Sequence, residues 1–187
     1  MGYHTFDAAM ADRLEGAERY RQVSVEELLG ALALDGTETV LDVGSGTGFY
    51  TDDIAPAAGR VFALDVQPVM HGFYSEKGVP AAVTPVTAAA DTLPFADGSV
   101  DAAFSTMTYH EFATAESLAE LARVLAPGGR LVVADWSGDG PGQSGPPVAE
   151  RYAPAAVREH VADADLRLDR LDERPETFLF VATAPEG

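Results

Sequence analysis

The chain has 187 residues, a net charge of −18 at pH 7, 47% hydrophobic residues and no cysteine. This length and composition are typical of one globular domain with a real hydrophobic core and not of a disordered chain. The missing cysteines exclude disulfides, thiolate metal sites and cysteine nucleophiles, and the acidic charge disfavours nucleic acid as a partner.

Nothing in the sequence predicts export or membrane insertion. Residues 1–16 lack the basic start and apolar core of a signal peptide, and no apolar run approaches the roughly 18 residues needed to cross a bilayer. We therefore expect a cytoplasmic protein. Its acids are spread along the chain and Lys77 is the only lysine. That composition resembles haloarchaeal proteins, which predicts adaptation to concentrated salt; an ordinary acidic protein is the alternative.

The pattern of apolar residues predicts strands that alternate with helices. Residues 7–34 are predicted to be helical, with Ser24 and Glu27 as a capping box. Strands are predicted at residues 37–44, 60–66, 81–90, 99–107 and 130–136, helices at residues 49–59, 67–78, 115–129 and 153–165, and an antiparallel strand pair at residues 166–174 and 177–185. This order predicts an α/β fold with a seven-stranded, mainly parallel sheet, helices on both faces and an antiparallel last pair.

A glycine-rich loop, "VGSGTGF", directly follows the first predicted strand. It lacks the lysine of a phosphate-binding P-loop, and Phe49 stands where a dinucleotide fingerprint has its third glycine. A purely structural turn is the alternative. In a parallel sheet, ligands lie at the carboxyl ends of the strands, so the loop marks the expected site.

Three later segments support a nucleoside ligand. Asp65 ends the second predicted strand, where a carboxylate can accept both hydroxyls of a ribose. Asp91 follows the third strand and can accept from an exocyclic amine, while Leu93 can pack on a base. The segment "ELARVLAPGGRLVVAD" then gives a helix, a tight turn and a strand. A solvated aspartate at a strand end, common in so acidic a chain, is the alternative for Asp65.

Together these four segments, which span roughly residues 37–136, resemble a class I S-adenosylmethionine-dependent methyltransferase of the type 11 group, which includes ubiquinone and menaquinone C-methyltransferases. The resemblance implies a Rossmann-like fold and S-adenosylmethionine as the cofactor, a nucleoside with an amino-acid tail and no phosphates. It also implies a helical cap or lid at residues 1–36, with Phe6 and Tyr20 as lid residues, and a cofactor-binding domain at residues 37–187.

The resemblance further implies a role for each matched residue. The loop is shaped by Asp42, Gly44, Gly46 and Gly48. Ser45 and Thr47 lie near the methionine moiety, with Ser105, Thr106 and Met107 beneath it. Asp65 holds the ribose hydroxyls, and Val66 lies against the adenine. Asp91 meets the adenine amine, which Thr92 and Leu93 flank.

The acceptor side is predicted after the fourth strand, where Tyr109, His110 and Glu111 are candidate catalytic residues. A histidine bonded to a backbone carbonyl is the alternative for His110. His71 and His160 are expected at the surface, and the four histidines are scattered without a close pair, so no metal site is expected.

The expected partner is a small-molecule methyl acceptor, bound by a monomer or homodimer. The short Gly/Pro-rich stretch at residues 137–150 disfavours a quinone acceptor, because quinone-type relatives carry a longer insertion there. Two other functions stay open: a non-catalytic subunit that binds S-adenosylmethionine, and an NAD-binding oxidoreductase, which Phe49 disfavours.

Overall fold

The computed structural model describes residues 7–186. Its α-helices are α1 (Val25–Leu32), α2 (Phe49–Ile54), α3 (Pro68–Lys77), α4 (Tyr109–Phe112), α5 (Ala115–Val124) and α6 (Pro154–Asp163). Its strands are β1 (Thr39–Val43), β2 (Arg60–Asp65), β3 (Val83–Thr87), β4 (Val100–Thr106), β5 (Leu125–Trp136), β6 (Arg167–Glu173) and β7 (Thr177–Thr183). No helix among residues 7–186 is both long enough and apolar enough to cross a bilayer.

The strands form one seven-stranded sheet in the order β3-β2-β1-β4-β5-β7-β6. Strands β1 to β5 are parallel, and β7 is antiparallel to both β5 and β6. The predicted mainly parallel sheet with an antiparallel last pair is therefore confirmed. The strand order reverses between β1 and β4, and in such sheets the crevice beside that switch point is where ligands bind.

Both faces of the sheet are covered, which explains why its strands read as continuous apolar runs. On one face, Leu118 and Leu121 of α5 and Val157 of α6 are buried against the sheet. On the other face, Leu28 of α1 and Ile54 of α2 are fully buried. Helix α1 thus contributes to the core and does not merely cover the cofactor end.

The N-terminal region differs from the long helix that the sequence predicts. It forms two 3-10 helices, Ala8–Glu15 and Ala17–Arg21, before α1. Gly16 between them has an extended backbone, and Ala11 is the only buried residue of the two. Because so little apolar surface is buried there, packing does not favour a continuous α-helix. The Ser24 half of the predicted capping box is confirmed, since its Oγ accepts from the N–H of Glu27 at 3.2 Å, while the Glu27 carboxylate accepts from Arg174.

Two further boundaries differ around β4 and β5. Helix α5 ends at Val124, five residues before the predicted end, because Leu125 already pairs with Val100 as the start of β5. The short helix α4 was not predicted. It follows Met107, a non-glycine residue with a φ of +57°. Such a backbone is strained and clusters at functional sites.

Candidate active site

A cleft of about 710 Å³ lies at the carboxyl ends of β1, β2, β4 and β5. The sheet side of the cleft includes Gly44, Ser45, Gly46, Asp65, Val66, Met107, His110 and Glu111, all of which the sequence predicts as site residues. Residues from the N-terminal 3-10 helices and from the loop after β5 cover it. The predicted loop, ribose acid and catalytic segment therefore meet in one cavity.

The three glycines of the loop all have left-handed backbones, with φ values of +77°, +55° and +80° at Gly44, Gly46 and Gly48. A Cβ on Gly44 would lie 2.3 Å from Cγ2 of Thr108. A Cβ on Gly48 would lie 2.2 Å from the ring of Tyr74. The protein's own packing and the backbone angle therefore require glycine at these two positions, independently of any ligand.

The acid at the end of β2 is bonded directly to the glycine loop. The N–H of Gly46 donates to Oδ2 of Asp65 at 2.9 Å, and the N–H of Gln67 donates to Oδ1 at 2.8 Å. Burial raises the pKa of Asp65, and these two bonds oppose that rise. Each carboxylate oxygen keeps a lone pair that can accept a hydrogen bond from a hydroxyl group of a ligand in the cleft.

One buried polar atom of the cleft fits a ligand with a polar tail. Ser45 Oγ is buried and has no hydrogen-bond partner within residues 7–186. Buried polar atoms in native proteins are nearly always bonded, so this hydroxyl suits an amino or carboxylate group of a bound molecule. The bonded Asp65 and the free Ser45 hydroxyl together fit a nucleoside with an amino-acid tail.

Other predicted cofactor residues form the framework beneath the loop and do not line the cleft. Asp42 is buried, and its Oδ2 accepts from Oγ1 of Thr51 at 2.5 Å. Burial raises the pKa of Asp42 to about 7, which the bond from Thr51 partly offsets. Ser105 donates to the carbonyl of Val43 at 2.8 Å and so joins β4 to β1. The Thr47 hydroxyl donates to Glu15 of the first 3-10 helix.

The predicted adenine end is only partly lined by the predicted residues. Val66 is exposed in the cleft, with Gln67, Met70, Ala88 and Ala90 beside it. Asp91 directly follows Ala90 and is half-buried, so its contact with the adenine amine stays a prediction. Leu93 instead packs into the core, and its N–H donates to Glu120 at 2.8 Å. Thr92 is exposed outside the cleft.

The N-terminal segment closes one side of the cleft and brings basic groups that the sequence reading missed. Arg13 and Arg19 line the cavity. The guanidinium of Arg19 lies 5.1 Å from the ring centroid of Phe49 and donates to the carbonyl of Leu14 at 2.7 Å. Tyr20, a predicted lid residue, donates to Asp53 at 2.7 Å. The sequence did hold a signal for these groups, because three of the few arginines in this acidic chain, Arg13, Arg19 and Arg21, precede the glycine loop.

The predicted lid residue Phe6 lies outside the described residues.

The three predicted catalytic residues have different surroundings. Tyr109 is fully buried in the core, and its hydroxyl lies 2.9 Å from Nδ1 of His160, so it does not line the cleft. His160 is accordingly half-buried and not a surface residue. His110 and Glu111 do line the cleft, with 3.9 Å between His110 Nε2 and Glu111 Oε1.

Asp135 at the end of β5 is a site residue that the sequence reading missed. Its carboxylate accepts from the N–H of His110 at 2.6 Å and lies 3.0 Å from Nδ1 of the same residue. Burial lowers the pKa of His110, but the hydrogen bond and charge of Asp135 outweigh it and the pKa is raised. Burial raises the pKa of Glu111 to about 7.

Arg151 and Glu176 together hold the loop after β5, since the N–H groups of Gly142 and Gln143 donate to the Glu176 carboxylate. The Arg151 side chain is 1% exposed and pairs with Glu176 at 3.0 Å. Its Nε donates to the carbonyl of Pro146 at 2.9 Å, and a terminal nitrogen donates to the carbonyl of Ser144. Ser144, Gly145 and Pro146 line the cleft, so Arg151 helps to fix this part of the cleft wall.

Known proteins resemble this chain in sequence and in structure. A family model described as a methyltransferase domain matches residues 41–133. A biotin biosynthesis bifunctional protein, BioHC, of Cellvibrio japonicus is 40% identical over 127 residues, which are 67% of this chain and 25% of that protein. A demethylmenaquinone methyltransferase of Corynebacterium efficiens is 37% identical over 109 residues, 57% of this chain and 45% of that protein.

These two curated relatives are matched over less than half of their own length. A solved structure matches almost completely: a SAM-dependent methyltransferase from Aquifex aeolicus is 30% identical, with a TM-score of 0.86, covering 96% of this chain and 99% of that one. The family is thus shown by sequence and by fold together. The chain belongs to the S-adenosylmethionine-dependent methyltransferases, as the residues of the glycine loop and of β2 predict.

Proposed function

We propose that the chain transfers the methyl group of S-adenosylmethionine to a small-molecule acceptor. One observation carries the proposal: the cleft runs without interruption from Asp65 at the end of β2 to His110 after β4 and Trp136 at the end of β5. In the strand order, β2 and β1 lie on one side of the switch point and β4 and β5 on the other. The cofactor would lie over the first pair and the acceptor over the second.

The chain's own residues provide a contact for each part of the cofactor. Asp65 would accept the ribose hydroxyls, while Ser45 would bond to the methionine moiety. Arg13 or Arg19 would face the methionine carboxylate, and Asp91 would accept from the adenine amine. When bound, S-adenosylmethionine supplies a methyl carbon made electrophilic by the sulfonium sulfur. The protein then contributes proximity, orientation and exclusion of water.

The covering of the cleft supports an acceptor of limited size. Residues of the N-terminal 3-10 helices, among them Met10 and Leu14, face the cleft on one side. The loop held by Arg151 closes the other side. We therefore propose residues 8–21 as the lid and the sheet with its helices, from α1 onward, as the binding domain. The net charge of −18 disfavours nucleic acid as the acceptor.

Two relatives are named for biotin biosynthesis and for demethylmenaquinone, and biotin and demethylmenaquinone are both small molecules. This supports a small acceptor in general. The short loop after β5 still disfavours a quinone acceptor.

Two measurements test the proposal. Calorimetry should detect binding of S-adenosylmethionine but not of NAD, and NAD binding alone would replace the methyltransferase by an oxidoreductase. Incubation with deuteromethyl-labelled S-adenosylmethionine and a cell metabolite extract should give a labelled product in the mass spectrum. Binding without any labelled product would instead support a non-catalytic cofactor-binding subunit.

A further inference from the structure

The acceptor end of the cleft contains a histidine whose two ring nitrogens have different surroundings. Nδ1 of His110 lies 3.0 Å from each carboxylate oxygen of Asp135, which is fully buried. Because a carboxylate accepts and an imidazole nitrogen can donate, Nδ1 carries the proton. Nε2 is then the basic nitrogen of the neutral ring, in a side chain that lines the cleft.

Asp135 is itself fixed, so the ring has a defined orientation. Its Oδ1 accepts from the N–H of Trp136 at 2.8 Å, and its Oδ2 accepts from the N–H of His110 at 2.6 Å. Strands β4 and β5 are neighbours, with Thr106 paired to Ala134, and this register places the residues that follow them side by side. Asp135 is therefore a positioning residue for His110.

Three acidic groups face His110, and their negative charges stabilise the protonated form of its ring. Asp135 comes from β5, Glu111 from α4 and Glu150 from the 3-10 turn after the loop. Glu111 Oε1 lies 3.9 Å from Nε2. Burial opposes the charge, but the three acids outweigh it, so the pKa of His110 is raised. A ring with these neighbours is suited to accept a proton from a bound molecule.

We propose that His110 is a general base and that the acceptor is an apolar molecule with an ionisable hydroxyl of the phenol or enol type. This deepens the proposed function and rests on it. The acceptor oxygen bonds to the methyl carbon as the carbon–sulfur bond breaks, with its electron pair remaining on sulfur. The hydroxyl proton passes to Nε2 of His110. Phe112, Trp136 and Pro146 give this end of the cleft an apolar wall for the body of the acceptor.

Other acceptor classes have less use for this arrangement. A thioether or a tertiary amine has no proton to lose, and an uncharged primary amine attacks with a free lone pair before its proton leaves. A neutral hydroxyl is a weak nucleophile, and its attack requires that the proton departs. Burying the pair of Asp135 and His110 costs free energy, and a proton transfer at the acceptor gives that pair a function.

The first experiment measures the pKa of His110 and does not require turnover. In nuclear magnetic resonance spectra of histidine-labelled protein, the signal of His110 is the one that is absent from H110Q. Its titration should show a pKa above the usual value for histidine. In D135N, where burial remains and the carboxylate charge is lost, that pKa should fall. Matching titrations in wild type and D135N would overturn the positioning role of Asp135.

The second experiment uses deuteromethyl-labelled S-adenosylmethionine and the apolar fraction of a metabolite extract. The labelled product should carry its methyl group on oxygen. H110Q should lower its rate of formation at least about a hundredfold with cofactor affinity unchanged. The matched control is E116Q, an exposed acid on α5, which should retain full activity. Methylation on carbon, nitrogen or sulfur, or full activity of H110Q, would overturn the inference while leaving the methyltransferase function intact. Cofactor binding with no product would overturn both.

Discussion

The N–H of Gly46 donates to Oδ2 of Asp65 at 2.9 Å, so the loop after β1 and the acid that ends β2 form one hydrogen-bonded unit. If Asp65 binds the ribose as we propose, the ribose would lie at a fixed distance from the loop that we propose for the methionine moiety. Loss of the carboxylate would then remove both that contact and the support of the loop.

We expect D65A to weaken S-adenosylmethionine binding tenfold or more, since charge-assisted hydrogen bonds to hydroxyls contribute about 1.5–3 kcal/mol. Isothermal titration calorimetry measures the change, and E116Q is the matched acidic control at an exposed position. Unchanged affinity in D65A would remove Asp65 from the cofactor site.

Deletion of residues 1–20 should leave a cooperatively folded protein that no longer catalyses methyl transfer. Residues 8–21 bury only Ala11, whereas Val23 and α1 belong to the core and are retained. The cleft would lie open to water and lose Arg13 and Arg19. Circular dichroism melting checks the fold, and labelled methyl transfer checks activity. A full-length R19M protein loses the Arg19 charge but keeps the segment that covers the cleft, so it shows which of the two losses abolishes activity. A truncated protein with full activity would contradict the lid role of residues 8–21.

The sequence predicted the sheet well because its strands are buried on both faces and therefore appear as uninterrupted apolar runs. The same reasoning failed for residues 8–21, where only Ala11 is buried and local propensity had no packing to support it. A polar segment held by side-chain bonds, such as Tyr20 to Asp53, leaves no periodic signal.

The place of Asp65 in the cleft was more predictable than the pairing of His110 with Asp135. Asp65 ends a strand beside a recognisable loop and lines the cleft, while its contact with a ribose stays a prediction. The pairing of His110 with Asp135 joins residues that follow different strands, and it depends on β4 and β5 being neighbours in the sheet. Residue types alone do not give that adjacency. For the same reason Tyr109 was predicted with His110, although it points into the core.

Asp42 should make the protein less stable as the pH rises. Burial raises its pKa to about 7 in the folded chain, well above the 3.8 of an ordinary aspartate. Because the folded chain holds the Asp42 proton more tightly than the unfolded chain, the raised pKa contributes fully to stability below the pKa of an ordinary aspartate. This contribution is lost as the pH rises from about 4 to about 7. D42N keeps an oxygen to accept from Thr51 and has no charge to bury.

We therefore expect the melting temperature of D42N to exceed that of the wild type at pH 8 by more than at pH 4.5. The difference corresponds to a few kcal/mol, since each pKa unit is worth about 1.4 kcal/mol. Thermal unfolding across this pH range measures it. Two parallel curves would mean that Asp42 ionises in the folded protein without penalty.

Arg151 should control the order of the loop after β5. R151M removes the donors to Pro146 and Ser144 and leaves Glu176 without its ion partner. Local opening should then become easier, and cleavage by thermolysin near Val148 should be at least about tenfold faster. R158M is the matched control, because Arg158 is 55% exposed and its pair with Glu173 spans 3.5 Å. Equal cleavage rates in the two variants would mean that the loop is held by other contacts.

Stability should rise with salt because the chain carries 30 acids against 12 lysines and arginines. At 0.01 M ionic strength the Debye length is about 30 Å, so repulsion acts across the whole molecule, whereas at 1 M it is about 3 Å. Screening weakens the surface ion pairs too, but pairs as exposed as Arg158 with Glu173 contribute little. The melting temperature should therefore rise steeply from dilute buffer to molar KCl. Replacing the exposed Glu26, Glu76 and Glu116 together by glutamine should flatten that rise at its low-salt end. A flat wild-type curve would mean that the core alone maintains the fold and that the acid excess is no adaptation to salt.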